Sequence, residues 1–141
     1  MIVCVDTSAL LPMLSATHEF KRIRQAWVQG RFAWALSTEI LLEHEEICVP
    51  RIGARRFAEF RALLDIVHAR HGNVRFVSPA YRFHLITACP DDDKFADCAI
   101  TAEADFIITD DAHFHALIGS GYKPQPITPE EFIARHLTPV P

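Results

Sequence analysis

Several acidic residues in this chain stand where carboxylates from distant segments can meet. Asp6 follows the short β-branched run Ile2, Val3, Cys4, Val5, and the pair Asp110 and Asp111 follows Phe106, Ile107, Ile108, Thr109. In an open α/β sheet, ligands bind beyond the carboxyl ends of the strands, so an acid just after a buried strand faces the natural site. Asp92 opens a helical pattern. At about 100° per residue, Phe95, Ala99 and Ala102 share an apolar stripe with Asp92 near its centre, while Asp93 and Asp97 rotate away. Glu43 lies three residues after Ile40 and four before Ile47, so it borders another apolar face.

Such a cluster has a cost. Two carboxylates about 4 Å apart repel by roughly 4 kcal/mol at an effective dielectric near 20, so four together require a cation. All-oxygen ligands suit Mg²⁺ or Mn²⁺, which keep several waters and bridge to phosphate; zinc prefers His and Cys, which this constellation lacks. Bland readings stand beside the functional one. Asp91, Asp92 and Asp93 can simply cap a helix and complement its dipole, and Glu39, Glu43 and Glu46 can be one solvated side. His113 and His115 near Asp111 read as surface or packing residues, as do His44 and His68, and Trp27, Trp34 and most of the ten Phe residues read as packing.

The elements that must position these residues alternate. Strands are expected over 2–5, 32–36, 74–77 and 106–109, and helices after Asp6 and over 19–29, 38–48, 53–71, 91–104 and 111–118. Pro50 is expected to end the third helix, and Gly72 the fourth. Thr128, Pro129 and Glu131 make a capping box for a final helix, and 119–126 reads as a mobile loop. Alternation of this kind implies a central, mostly parallel sheet with helices on both sides, an α/β fold.

At 141 residues, half of them apolar, the chain suits one domain spanning 1–141. Residues 1–14 are apolar, yet they lack a basic leader, are interrupted by Asp6 and are too short for a membrane span. Cys4, Cys48, Cys89 and Cys98 are scattered in apolar contexts without a C-x-x-C pair, which fits a reduced cytoplasm rather than a disulfide framework or zinc knot. The net charge of −4 argues against nucleic acid at first. Its distribution matters more: Lys21, Arg22 and Arg24 form one basic cluster and Arg51, Arg55, Arg56 and Arg61 another, while acids gather near 39–46 and 91–111.

In Val3-Cys4-Val5-Asp6-Thr7-Ser8, Ser37-Thr38-Glu39-Ile40-Leu41-Leu42-Glu43, Pro90-Asp91-Asp92-Asp93-Lys94-Phe95 with Ala99, and Ile108-Thr109-Asp110-Asp111-Ala112-His113-Phe114, the chain resembles the PIN-domain family. It is most similar to the toxin branch of bacterial type II toxin–antitoxin modules, related to VapC-like ribonucleases. Ile127 to Phe132 also resembles that branch's ending. The resemblance implies a PIN-like three-layer α/β/α domain with a sheet of four to five strands. It implies metal-binding, catalytic acids at Asp6, Glu43, Asp92 and Asp111. Asp111 is chosen over Asp110 because the family's strand-ending pattern is Thr, any residue, Asp. Asp97 corresponds to a further, often acidic, position. Two departures stand out: Ser8 where the family often has Asn, and Cys89 where this branch often has Asp.

The function so implied is Mg²⁺- or Mn²⁺-dependent hydrolysis of RNA in the cytoplasm by the toxin of a toxin–antitoxin pair. An antitoxin partner and a homodimer come with that resemblance. Two rivals stand beside it. An aspartyl-nucleophile phosphohydrolase would use Asp6, but such chemistry usually wants an Asp two residues on, where this chain has Ser8. A non-catalytic metal- or partner-binding module would use the acidic rim without cleavage.

Overall fold

Five short apolar runs pair into one sheet, β1 (Ile2–Val5), β2 (Ala33–Leu36), β3 (Val74–Phe76), β4 (Phe106–Ile108) and β5 (Gln125–Ile127), in the order β3-β2-β1-β4-β5. The computed structural model describes residues 1–137; the expectation of one domain reaches to 141, and residues 138–141 lie outside the described residues. Every neighbouring pair of strands is parallel, so each connection must cross over, and helices supply the crossovers. They are α1 (Thr7–Met13), α2 (Lys21–Val28), α3 (Thr38–Ile52), α4 (Ala54–His71) and α5 (Asp93–Thr101), with a 3₁₀ helix between β4 and β5, and α6 (Pro129–His136) follows the last strand. The result is a mixed α/β fold, a five-stranded parallel sheet flanked by helices.

The chain leaves β1 for β2 in one direction and comes back to β4 on the other side of β1. Strand order therefore reverses between β1 and β4, and a crevice opens at their carboxyl ends. Val5 pairs with Ile108, and the Asp6 amide donates to the Ile108 carbonyl at 3.0 Å. Asp6 and Thr109 thus leave the sheet side by side.

The core explains why the sheet forms where it does. Val3, Cys4, Val5, Trp34, Ala35, Leu36, Ile107 and Ile108 are fully buried, as expected for strands covered on both faces. Trp27 of α2 meets Trp34 of β2 edge to face at 5.1 Å, a contact that adds about 0.5–1.5 kcal/mol beyond area burial. Gly30 turns the chain into β2 with φ +78°, a conformation that favours glycine, and a Cβ there would stand 2.9 Å from the His71 ring.

Four boundaries depart from the sequence expectation. Helix α3 runs through Pro50 to Ile52. Proline forfeits one hydrogen bond near an exposed helix end, while Val49 and Ile52 pack on the core and keep the last turn. The expected helix over 91–104 splits into a 3₁₀ turn, Pro90–Asp92, and a shorter α5. The segment after Asp111 is a 3₁₀ helix, Ala112–Leu117. The expected loop over 119–126 ends in β5, which hid because Pro124 and Pro126 break the apolar pattern; a proline suits an edge strand. Among the described residues, no helix is long and apolar enough to cross a membrane.

Candidate active site

Asp6 is the N-terminal boundary residue of α1, yet its side chain makes no capping bond. Its backbone carbonyl accepts from Ala9 and Leu10, and its carboxylate instead accepts at Oδ2 from Ser8 Oγ and Thr109 Oγ1, both at 2.8 Å. Capping does not account for this acid. Burial raises its pKa, the Ser8 and Thr109 bonds oppose the rise, and the charges of Glu43 and Asp111 add to it.

Asp92 sits at the junction of the 3₁₀ turn and α5, again without a side-chain cap. Burial pushes its carboxyl up, a bond from Cys89 opposes, and the charges of Asp111 and Asp6 push it further. Its Oδ2 is buried with no hydrogen-bond partner at ordinary distance. A buried carboxylate oxygen left so is costly unless a cation meets it. Asp111 lies at the other side of the crevice, its amide donating to Thr109 Oγ1 at 2.9 Å and its Oδ1 accepting the His113 amide at 2.9 Å. Asp111 does cap its helix; Asp6 and Asp92 do not.

Glu43 reaches the same rim from α3, which Ser37 starts by accepting the Ile40 amide at Oγ. Both of its oxygens are engaged. Thr7 Oγ1 donates to Oε2 at 2.6 Å, and Lys94 Nζ lies 3.0 Å from Oε1. Lys94 also meets Asp91 at 3.2 Å, and although burial lowers the ammonium pKa, the Glu43 and Asp91 carboxylates outweigh that and raise it. Thr7 has one hydroxyl proton and gives it to Glu43, so His44 Nδ1, 2.9 Å away, donates to Thr7. His44 is fully buried and neutral, its pKa lowered to about 3 by burial and by the Lys94 charge.

Four segments therefore bring Asp6, Glu43, Asp92 and Asp111 to one rim, close enough for their charges to act on one another. Glu43 and Lys94 line a cleft of about 370 Å³ with Arg82, His84 and Asp97. Asp111 lines a second, of about 240 Å³, with Thr109, Asp110 and His115. A larger, mostly apolar hollow between α4 and β3 contains none of the four acids.

Asp97 does not rotate into solvent as the helical count implied. It is buried and accepts the Phe83 amide at 3.0 Å, while Asp93 accepts the Ile86 amide at 2.8 Å, so both pin the loop that delivers Cys89 and Asp92. Asp110 is exposed; partial burial and the charges of Glu130 and Asp6 raise its pKa.

His113 is exposed, as the sequence implies, and Cys89 is half-buried, yet both stand beside the acids. His113 Nδ1 stands 3.3 Å from Asp111 Oδ1 and 3.5 Å from Asp92 Oδ2. Cys89, Asp92 and His113 offer donor atoms all within 4.8 Å of one another. The expectation that Cys and His are missing from the constellation is thereby corrected. The legible signal was the spacing Cys89-Pro90-Asp91-Asp92, in which the Asp92 amide closes a tight turn on the Cys89 carbonyl at 2.9 Å.

A family model for the PIN domain matches residues 2–113, a stretch that contains all four acids. The chain belongs to the PIN-domain family. No curated protein and no solved structure matches it. PIN domains are generally nucleases and usually use a divalent metal, so membership supports phosphodiester hydrolysis as the coarse activity. The buried Asp92 Oδ2, and the Asp6 and Asp111 carboxylates whose charges act on Asp92, are the oxygens that would meet such a cation.

Proposed function

We propose that this PIN domain is a Mg²⁺- or Mn²⁺-dependent endoribonuclease and the toxin of a toxin–antitoxin pair, acting in the cytoplasm. The observation that carries the nuclease reading is the meeting of Asp6, Glu43, Asp92 and Asp111 at the switch point of the sheet. Asp6, Asp92 and Asp111 would hold the cation. Bound there, it supplies charge neutralisation and polarisation of water and phosphate.

The chain's own residues do the rest. Ser8 and Thr109 fix the Asp6 carboxylate by two hydrogen bonds to one oxygen, Oδ2. Glu43, held by Thr7 and Lys94, stands at the cleft edge to orient the attacking water. Lys94 balances negative charge where a phosphate must approach acids. Arg24 and Arg56, one from each basic cluster read from the sequence, line one hollow with Leu14 and Glu59 and would contact the RNA backbone there.

The toxin role rests on the resemblance of the motifs to that branch, which also suggests a homodimer and an antitoxin whose C-terminal segment covers the acidic groove. Incubating the purified chain with single-stranded RNA in Mg²⁺, in Mn²⁺ and in EDTA tests the activity; cleavage only with metal supports it, and equal cleavage in EDTA refutes it. Growth arrest on expression, relieved by the product of the adjacent reading frame, tests the toxin role.

Against the phosphohydrolase rival, Ser8 donates to Asp6 rather than offering a second carboxylate, so the acid that such chemistry usually uses is missing.

A further inference from the structure

We propose that Cys89, Asp92 and His113 form a seat for a thiophilic divalent cation of the zinc class, distinct from the all-oxygen set but sharing Asp92 with it. Occupancy there would switch the nuclease off.

The geometry comes from two 3₁₀ segments, Pro90–Asp92 and Ala112–Leu117. Cys89 precedes the 3₁₀ turn Pro90–Asp92, whose closing hydrogen bond folds Sγ and the Asp92 carboxylate to one side. His113 follows Asp111, which holds its amide and so fixes the backbone from which the imidazole reaches across. The three donor atoms lie within 4.8 Å of one another, and atoms around a tetrahedral zinc stand about 3–4 Å apart, so small side-chain rotations close the set. The protein supplies three ligands, and water would take the fourth position, as in open zinc sites.

The donor chemistry decides the class of ion. Thiolate and imidazole favour zinc, cobalt and related ions, whereas Mg²⁺ takes oxygen and keeps its water. Binding would release the Cys89 thiol proton to solvent and form a metal–sulfur bond. The buried Asp92 Oδ2, with the His113 Nδ1 no closer than 3.5 Å, is the oxygen that gains a ligand contact. Cys4, Cys48 and Cys98 are buried, so Cys89 is the most accessible thiol of the four.

Two consequences follow from the shared carboxylate. Zinc at Asp92 withdraws one ligand from the acidic set and places two positive charges beside it, so Mg²⁺ or Mn²⁺ binds less well. The affinity order of first-row ions, with manganese weakest, lets micromolar zinc compete against much more manganese. The switching role rests on the nuclease reading; the metal seat does not.

The test uses the reduced, EDTA-stripped, full-length chain with Co²⁺ as spectroscopic probe. One equivalent of cobalt should produce thiolate-to-cobalt charge-transfer absorption, which equimolar Zn²⁺ bleaches. Cys89→Ser should abolish that band, and His113→Ala, altering an exposed side chain, should weaken cobalt binding at least tenfold while circular dichroism stays unchanged. A band that survives in Cys89→Ser, or no thiolate band in the wild type, overturns the seat. In Mn²⁺-dependent RNA cleavage, Cys89→Ser should need at least ten times more zinc than wild type for half inhibition; equal zinc sensitivity overturns the switch. If the wild type cleaves nothing with any metal, it is the nuclease reading that fails, and with it the switch, while the cobalt spectra still decide the seat.

Discussion

Thr109 donates from Oγ1 to Asp6 Oδ2 at 2.8 Å and accepts the Asp111 amide at 2.9 Å on the same oxygen. One buried hydroxyl, 103 positions from Asp6 in sequence, thus ties an acid after β1 to an acid after β4. This is the physical content of the Thr-x-Asp pattern: Thr109 sets the register of the carboxylate two residues on.

Thr109→Val keeps the shape and deletes both bonds. It should cost about 1–3 kcal/mol, the penalty for leaving buried polar groups without partners. Thr109→Ser, which keeps the hydroxyl, should cost no more than about 1 kcal/mol for the missing methyl. Urea denaturation in EDTA distinguishes them; equal losses for the two variants would remove the coupling role of the hydroxyl.

Lys94 stands against Glu43 as an internal cation, with side-chain exposures of 17% and 11%. Lys94→Met leaves the carboxylate without its counter-charge and should cost about 1–3 kcal/mol in EDTA. Saturating Mg²⁺ should recover part of that loss. Denaturation midpoints measured with and without Mg²⁺ give the answer, and a variant as stable as wild type in EDTA would show that the pair contributes nothing.

His44 gives a pH signature. Its pKa falls from an ordinary 6.5 to about 3 in the folded chain. Between those values the unfolded chain carries a proton that the folded one lacks, so stability is present above about 6.5 and is lost as pH falls toward about 3. The slope from this group approaches about 1.4 kcal/mol per pH unit. His44→Gln removes it: stability against pH between 4 and 6 should be flatter in the variant by up to one proton. Parallel curves would place His44 outside the acid response.

Asp6 acts in the opposite sense. Its pKa is raised by burial, so through the window just above the ordinary carboxylate range the folded chain binds protons that the unfolded chain has released. Stability therefore falls as pH rises through that window. In EDTA at neutral pH, Asp6→Asn should melt at or above the wild-type temperature, because a buried like charge is gone while Ser8 and Thr109 keep an oxygen to meet. A large drop in melting temperature would contradict this.

Much of this was legible before the structure. Asp6 and Asp111 follow buried strands, and strand ends at a reversal of order face one crevice, so their approach follows from alternation alone. Asp92 was readable from the stripe of Phe95 and Ala99. What the sequence concealed has physical causes. The edge strand β5 is short and carries Pro126, so no alternation marked it. Asp97 was placed outward on an ideal helix, but the loop over 77–89 folds back over α5 and covers it, with the Phe83 amide as its partner. Cys89 precedes a tight 3₁₀ turn and His113 lies in a 3₁₀ helix, and α-helical periodicity says nothing about where such segments aim a side chain. The Thr7 bridge between His44 and Glu43 was hidden for a related reason: neighbours 36 and 37 positions apart meet only through packing of α1 on α3.

The proposed activity requires that carboxylates gathered from four segments hold a divalent cation for the hydrolysis of RNA. The most direct measurement is the rate of RNA cleavage by purified wild type and Asp6→Asn in Mg²⁺ or Mn²⁺, each checked by circular dichroism. The account predicts that the folded variant loses activity by on the order of a hundredfold or more. Undiminished, metal-dependent cleavage by folded Asp6→Asn would contradict it.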